Sequence, residues 1–438
     1  MTMTNSSDLT LAPDPFTRVP CSDLVVGMFV AELDRPWKDT PFPINGFHIR
    51  RIEDLEALRR FCKHVVIDVS RGKAPKKMKP RELTILSSAR KRAPAASAIA
   101  VRHDVYPITR SVKQEIDSLE QAYEALAKAF GQVIANARDE KPLGLTQLAT
   151  PQTALLDSLC RCPDAAVWFL NTQSQRDAQL QHCLRAAIWA VLLGRHIGLT
   201  REELDTLLQG TLLADIGLAR FPPSLVTKSG PFSRKEYLAY QKHVRIGEDI
   251  LRVDGEASAQ VINILRNHHE RHDGRGFPRG QQGEQIPLLA RIAHLAYSYD
   301  RLLKPFNARQ PVVPATAVSR LYKQRMLKFM EQLVFEFIQS LGMYPAGSLV
   351  EVASHEVAVV VEQNPGEKLQ PRLAVLLDAE KKPLTKVRLV NPVEDRSSAL
   401  AMAITKALPP GSYGIDVNSL REQIFGKRIA IGKFGIRF

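Results

Sequence analysis

Cysteine is scarce in this chain of 438 residues, and what there is does not form a framework. Cys21, Cys62, Cys160, Cys162 and Cys183 are odd in number and scattered, a usage that argues for reduced thiols rather than disulfides. Cys160 and Cys162 are followed by no second cysteine pair, which argues against a sulfur-rich four-ligand zinc site. Long apolar runs are missing as well. AAIWAVLLG at 186–194 is less than half of the roughly 20 residues that a membrane span requires, so no span is predicted. The start, MTMTNSSDLTLAPDPF, has no basic stretch followed by an apolar core. No secretory signal is read there, and a cytoplasmic location is expected.

Acidic residues are outnumbered, 46 against 60 lysines and arginines, for a net charge of +14. The excess is local. Between Arg71 and Arg92 nine basic residues meet a single acid, Glu82, and no aromatic residue stands among them to stack on a base. The segment therefore reads as a solvated tether, and no nucleic-acid partner is expected.

The length suggests two or three units at roughly 150 residues each. LVVGMFVAEL, RIEDLEALRRF and HVVIDV read as strand, amphipathic helix and strand, giving a small α/β module over 15–72, with a turn at DRPWKDTPF. A basic linker follows over 73–110. Over 111–150 comes a long helix and its connection, with Ile116, Leu119, Tyr123, Leu126, Phe130, Val133 and Ala137 on one stripe. Packing on the next helices and homodimerisation are alternatives for that stripe. Residues 151–345 read as an all-helical domain, including a cap-like Thr200-Arg-Glu-Glu. Residues 346–438 read as a β-rich region. The fold class is thus multidomain, with an α/β module, an all-α centre and a β-rich tail.

Within the helical part, NHHERHDGRGFPRG at 267–280 packs three histidines beside glycines and acids. Imidazoles are the commonest ligands for zinc, iron and manganese, so a metal site is indicated. Successive helical side chains diverge by about 100°, so His268 and His269 can meet one ion only where the helix ends. Gly274, Gly276 and Pro278 supply that end.

HHERHDGRGFP resembles the signature of HD-GYP domains, a branch of the HD phosphohydrolases, with Phe277 in place of a tyrosine. Glu270, Asp273, Gly274, Gly276, Phe277 and Pro278 make up the loop of that signature, and His272 falls on one of its variable positions. QHCLRAA, LLADIG, LVTKSGPFSRKEYLAYQKHVRIGEDIL and GEQIPLLARIAHLAYSYD resemble the surrounding helices of the family. GMFVAELDRPWKDTPF is similar to a small domain of unknown function that often precedes it, and MYPAGSLVEV to a tail that often follows.

The resemblance implies a metal-dependent phosphodiesterase of cyclic di-GMP with two ions bridged by a catalytic aspartate, Asp215. One ion would be held at His182, Ala214, Asp215 and Tyr297, where Ala214 has no donor atom and a neutral phenol replaces a carboxylate. The other would be held by Asp215, His243, His268 and His269, all present. Asp300, three residues after Tyr297, is a candidate replacement ligand. A phosphate-facing lysine of the family is Leu218 here, and Lys304-Pro305-Phe306 resembles a later Arg-Pro-Tyr segment. The expected cofactor is one divalent ion of iron, manganese or zinc instead of two. The expected function is a cyclic di-GMP sensor or adaptor with weak or no hydrolysis, whose partners would include diguanylate cyclase domains. The alternatives are an active phosphodiesterase yielding pGpG or GMP, and a scaffold without metal or nucleotide.

Overall fold

The computed structural model describes residues 16–34, 47–49, 52–69, 72–73, 99–103, 105–172, 178–226, 228, 230, 232–305, 312–325, 327–364, 367, 370–395, 397 and 399–426. Most of the expected basic linker, the stretch from Arg35 to Phe42 where a turn is expected, and Phe306 lie outside the described residues. The chain divides into two compact units, 1–98 and 99–438.

In the first unit an antiparallel sheet runs in the order β1-β4-β2-β3, from Phe16–Pro20 (β1), Phe29–Leu33 (β2), Phe47–His48 (β3) and His64–Asp68 (β4). Helix α1, Ile52–Phe61, completes it. Alternation in HVVID turns Val65 and Ile67 inward onto Met28, Val30 and Leu58, the period-2 pattern of a sheet with one apolar face. The strand expected from Leu24 starts only at Phe29, because Val26 and Gly27 form a turn, with Gly27 at φ +99°.

The second unit is helical for most of its length. Helix α2, Val112–Arg138, carries the predicted stripe, and each of its seven residues is buried within the chain. The stripe is therefore a packing face against α3 (Ala149–Arg161) and α4 (Pro163–Thr172), not a free dimer surface. Helices α5 (Ala178–Ile197), α6 (Arg201–Leu212), α7 (Pro223–Val226), α8 (Arg234–Gln241), α9 (His243–Asp254), α10 (Ala259–Asn267) and α11 (Leu288–Leu303) follow. The capping box at Thr200 forms: its Oγ1 accepts from Glu203 N at 3.2 Å, and Glu203 Oε2 accepts from Thr200 N at 2.7 Å. Such a cap satisfies two of the helix's orphan donors.

Helices α5 and α11 pack on each other at the centre of this unit, and α5 also packs on α6. Both are apolar around most of their circumference; His182 to Gly194 and Ile292 to Asp300 are buried without interruption. A charged residue in such a run needs an internal partner, and His182, Arg185 and Asp300 all lie here. Helices α12 (Pro314–Lys323) and α13 (Glu331–Leu341) lead to the tail.

The tail is an antiparallel five-stranded sheet of order β8-β7-β6-β5-β9, built from Leu349–Val352 (β5), Val357–Glu362 (β6), Arg372–Leu377 (β7), Pro383–Val390 (β8) and Ile404–Ala407 (β9). A short helix, α14 (Arg421–Phe425), closes the described chain. The sheet is tied to the helices: Asn171 Nδ2 donates to Ala346 O at 2.8 Å, Val112 N to Glu362 Oε2 at 3.1 Å, and the Trp168 and Phe425 rings meet edge to face.

Candidate metal centre

Asp215 ends the turn that follows α6, and a close backbone approach fixes where it points. A Cβ on Gly217 would lie 2.0 Å from His243 O and 2.7 Å from Gly247 N, so only glycine lets the LLADIG turn settle on the start of α9. That contact brings Asp215 beside His243, the first residue of α9. Helix α10 stops at Asn267, with His268 at its C-cap and the DGRGFP loop beyond. The expected helix end is therefore where the two histidines can converge.

Asp215 Oδ1 lies 3.3 Å from His243 Nε2 and 3.6 Å from His268 Nε2, and with His269 the four ligand atoms all fall within 4.8 Å of one another. Asp215, His243 and His268 are buried; His269 is half-buried. His243 Nδ1–H donates to Tyr240 O and His268 Nδ1–H to Leu265 O, both at 2.6 Å. Each backbone carbonyl thereby fixes the tautomer and leaves the Nε2 lone pair aimed inward. Asp215 Oδ1 and the Nε2 atoms of His243, His268 and His269 are buried with no hydrogen-bond partner among the described residues. Burial, followed by the nearby His268 and His243, pushes His269 well below the ordinary imidazole range. Burial alone would raise the Asp215 carboxyl, yet His243 and His268 outweigh it and hold the group well below its usual range. Three imidazoles and one carboxylate around a common point fit one divalent cation of the zinc, iron or manganese kind.

The other side of Asp215 is built differently. Tyr297, on α11, donates its hydroxyl to Asp215 Oδ2 at 2.8 Å. Arg301, one turn on, donates through Nη2 to Tyr297 Oη at 2.7 Å and through Nε to His182 Nε2 at 3.2 Å. His182 Nδ1–H in turn donates to Asp300 Oδ2 at 2.6 Å. Arg185, on the same face of α5, grips Asp300 at 2.8 and 2.9 Å, and Trp189 Nε1 reaches it at 3.3 Å. Burial and then Arg301 lower His182 to about 4, although Asp300 pulls the other way.

His182, proposed as a ligand, therefore lies outside the four-residue cluster: one ring nitrogen serves Asp300 and the other receives Arg301. Asp300, the candidate replacement ligand, does not reach the cluster either, because Arg185 and His182 occupy both of its oxygens. Ala214 and Leu218 are buried and bring no donor. Arg185 and Arg301 are absent from the residues singled out by sequence. The signal was their spacing, i+3 from His182 and i+4 from Tyr297, which places each on the site face of its helix.

The signature loop supports the cluster rather than facing it. Glu270, 1% exposed, accepts from Arg279 N at 2.7 Å and Gln281 N at 3.0 Å. Asp273 accepts from Arg275 N and is gripped by Arg271. Gly274 adopts φ +73°, and Phe277 precedes Pro278 through a cis bond. The Phe277 ring stacks on His269 with centroids 4.4 Å apart, so an apolar ring covers the most exposed of the four ligands. His272 lies outside the cluster.

Two family models match stretches of the chain. Residues 17–148 match the domain of unknown function DUF3391, and residues 166–329 match the HD domain. The chain is an HD-domain protein of the HD-GYP type. A cyclic di-GMP phosphodiesterase of Pseudomonas aeruginosa is 28% identical over 371 residues, which cover 83% of this chain and 86% of that protein. A cyclic di-GMP phosphodiesterase response regulator of Xanthomonas campestris is 34% identical over 137 residues, 31% of this chain and 36% of that protein. Among solved structures, a HDG"Y"P protein from Bdellovibrio bacteriovorus is similar with TM-score 0.33 and 16% identity, covering 74% of this chain and 98% of that one. Among the described residues, no helix of this HD-domain protein is long and apolar enough to cross a membrane.

Proposed function

We propose that this protein is a divergent HD-GYP signalling protein that recognises cyclic di-GMP at a single-ion centre and hydrolyses it weakly or not at all. It acts as a sensor, or as an adaptor to signalling proteins such as diguanylate cyclase domains. The nucleotide class is supported by the names of the two relatives above. The observation that carries the single-ion reading is the far side of Asp215, where Oδ2 receives the Tyr297 hydroxyl and Arg301 fills the space between Tyr297 and His182.

Hydrolysis of a phosphodiester by two cations relies on their shared position to activate water and to clamp the attacking and leaving oxygens. Asp215, His243, His268 and His269 would hold a single ion, whose chemistry there would be Lewis-acid polarisation of a phosphoryl oxygen. Arg301 contributes a fixed cation on the other side, but a guanidinium does not acidify a bound water as a metal does. It does favour binding of a phosphate. The geometry thus supports phosphate recognition more than turnover.

The test measures metal content, cyclic di-GMP binding and cyclic di-GMP turnover on one gently purified preparation of the whole chain and of Asp215→Ala. One iron, manganese or zinc ion lost on substitution, with nucleotide binding by the natural chain and turnover near background, is the expected result. Two ions lost together with rapid release of pGpG or GMP overturns the reading in favour of an active phosphodiesterase. No ion lost and no nucleotide bound points instead to a scaffold.

A further inference from the structure

We infer that His103, His196 and Glu336 form a second divalent-cation site, with zinc as its best-matched ion, separate from the Asp215 centre. It does not depend on the single-ion reading. The residues come from three separate segments: the stretch ahead of α2, the last turn of α5, and α13. His103 Nε2 lies 2.9 Å and His196 Nε2 3.3 Å from the same oxygen, Glu336 Oε2, and the three ligand atoms all fall within 4.8 Å of one another.

The convergence is built by the backbone. Arg102 N donates to Ile197 O at 3.0 Å, Arg102 Nη2 to Gly198 O at 2.9 Å, and Tyr106 Oη to Leu199 O at 2.7 Å. Ile99 and Gln332 exchange two hydrogen bonds, each 2.9 Å. These contacts lay the stretch across the ends of α5 and α13 and set His103 over Glu336. Gly198, at φ +79°, is part of the fit: a Cβ there would lie 2.3 Å from Arg102 O, so a larger residue would lift the stretch away.

Two imidazoles and a carboxylate are a zinc donor set, and such donors at bond lengths of about 2.0–2.2 Å sit roughly 3.3 Å apart in a tetrahedron. The two separations from Glu336 Oε2 differ from that spacing by no more than a few tenths of an ångström. Side-chain exposure grades from 3% at Glu336 through 17% at His196 to 39% at His103. The carboxylate therefore forms the floor and the imidazoles the rim, with solvent free to complete the coordination.

The experiment uses the full chain carrying Asp215→Ala, which removes the first centre, stripped with chelator and titrated with zinc. One equivalent of zinc is expected to bind and to raise the melting temperature. Adding His103→Ala should weaken that binding at least tenfold and abolish the shift. Equal zinc affinity with and without His103→Ala, or no zinc bound by Asp215→Ala, overturns the proposal and leaves a hydrogen-bonded ion pair. If Asp215→Ala fails to fold, the comparison moves to the natural chain. There His103→Ala should lower saturating zinc by one equivalent and leave cyclic di-GMP binding unchanged, and unaltered stoichiometry overturns the site.

Discussion

The two sides of Asp215 use the same kinds of residue to opposite ends. On one side His243, His268 and His269 present bare Nε2 atoms, their other nitrogens or their ring faces occupied by backbone carbonyls and Phe277. On the other side His182 and Asp300 are equally buried, but each donor meets an acceptor: Arg185 and His182 close on Asp300, and Arg301 closes on His182 and Tyr297. A buried imidazole with an inward lone pair asks for a cation from outside the chain. One whose lone pair already receives a guanidinium does not. Residue type does not separate the two sides; the destination of each lone pair does.

The largest effect that tests this contrast is on Arg185. Removing one partner of a buried ion pair strands the other charge, at a cost of about 3–5 kcal/mol. Arg185→Met is therefore expected to lower unfolding stability by that amount in denaturant titration while the metal content of the folded protein stays unchanged. Loss of the ion along with stability would show that the Asp300 side also holds the metal, and the division would fail.

Tyr297 is the joint between the sides, and its substitution is the next largest effect. Tyr297→Phe keeps the ring against His182 but leaves Asp215 Oδ2 without its donor and Arg301 Nη2 without its acceptor there. Stranding buried polar groups in this way costs about 1–3 kcal/mol. The fall in denaturation midpoint should be accompanied by weaker metal binding, since second-shell partners of metal ligands contribute about 10–100-fold in affinity. An unchanged metal affinity would mean that Tyr297 does not orient Asp215.

How much of this was legible in sequence follows from the same distinction. The His243, His268 and His269 side could be read because its parts lie in short strings: an HH pair, a helix stop in DGRGFP, and the LLADIG turn. The helix end at Asn267 and the strands from Leu349 and Val357 follow from local period and turn residues. The His182 and Asp300 side resisted because its outcome is set by long-range pairing. Asp300 looks like a spare ligand until Arg185, 115 positions away, is brought onto it. Local pattern also misplaced the start of β2, where the apolar run LVVGM hides a turn at Gly27. The tail's contacts with α4 and the Glu336 cluster depend on packing that no periodicity encodes.

The smallest of the expected effects is a pH dependence on the arginine side. Lys304 donates to Leu170 O at 3.1 Å, and burial, followed by Arg185, lowers it to about 8, against the pull of Asp300. In the unfolded chain an ordinary lysine titrates near 10.4. Between these values the unfolded state binds more protons, so this residue makes stability rise with pH, by at most about 1.4 kcal/mol per pH unit. Below pH 8 both states are charged and the burial penalty is constant. Buried thiols act in the opposite direction, Cys21 being pushed up to about 11 and Cys162 to about 12, chiefly by burial. The readout must therefore be a difference, in which the thiols cancel. Stability of the natural chain minus that of Lys304→Met should rise from pH 8 to pH 10 and stay flat from pH 6 to pH 8. A flat difference over the whole range would mean that Lys304 reaches water in the folded state, and that the positive charge around Asp300 is less enclosed than the ion-seeking side of Asp215.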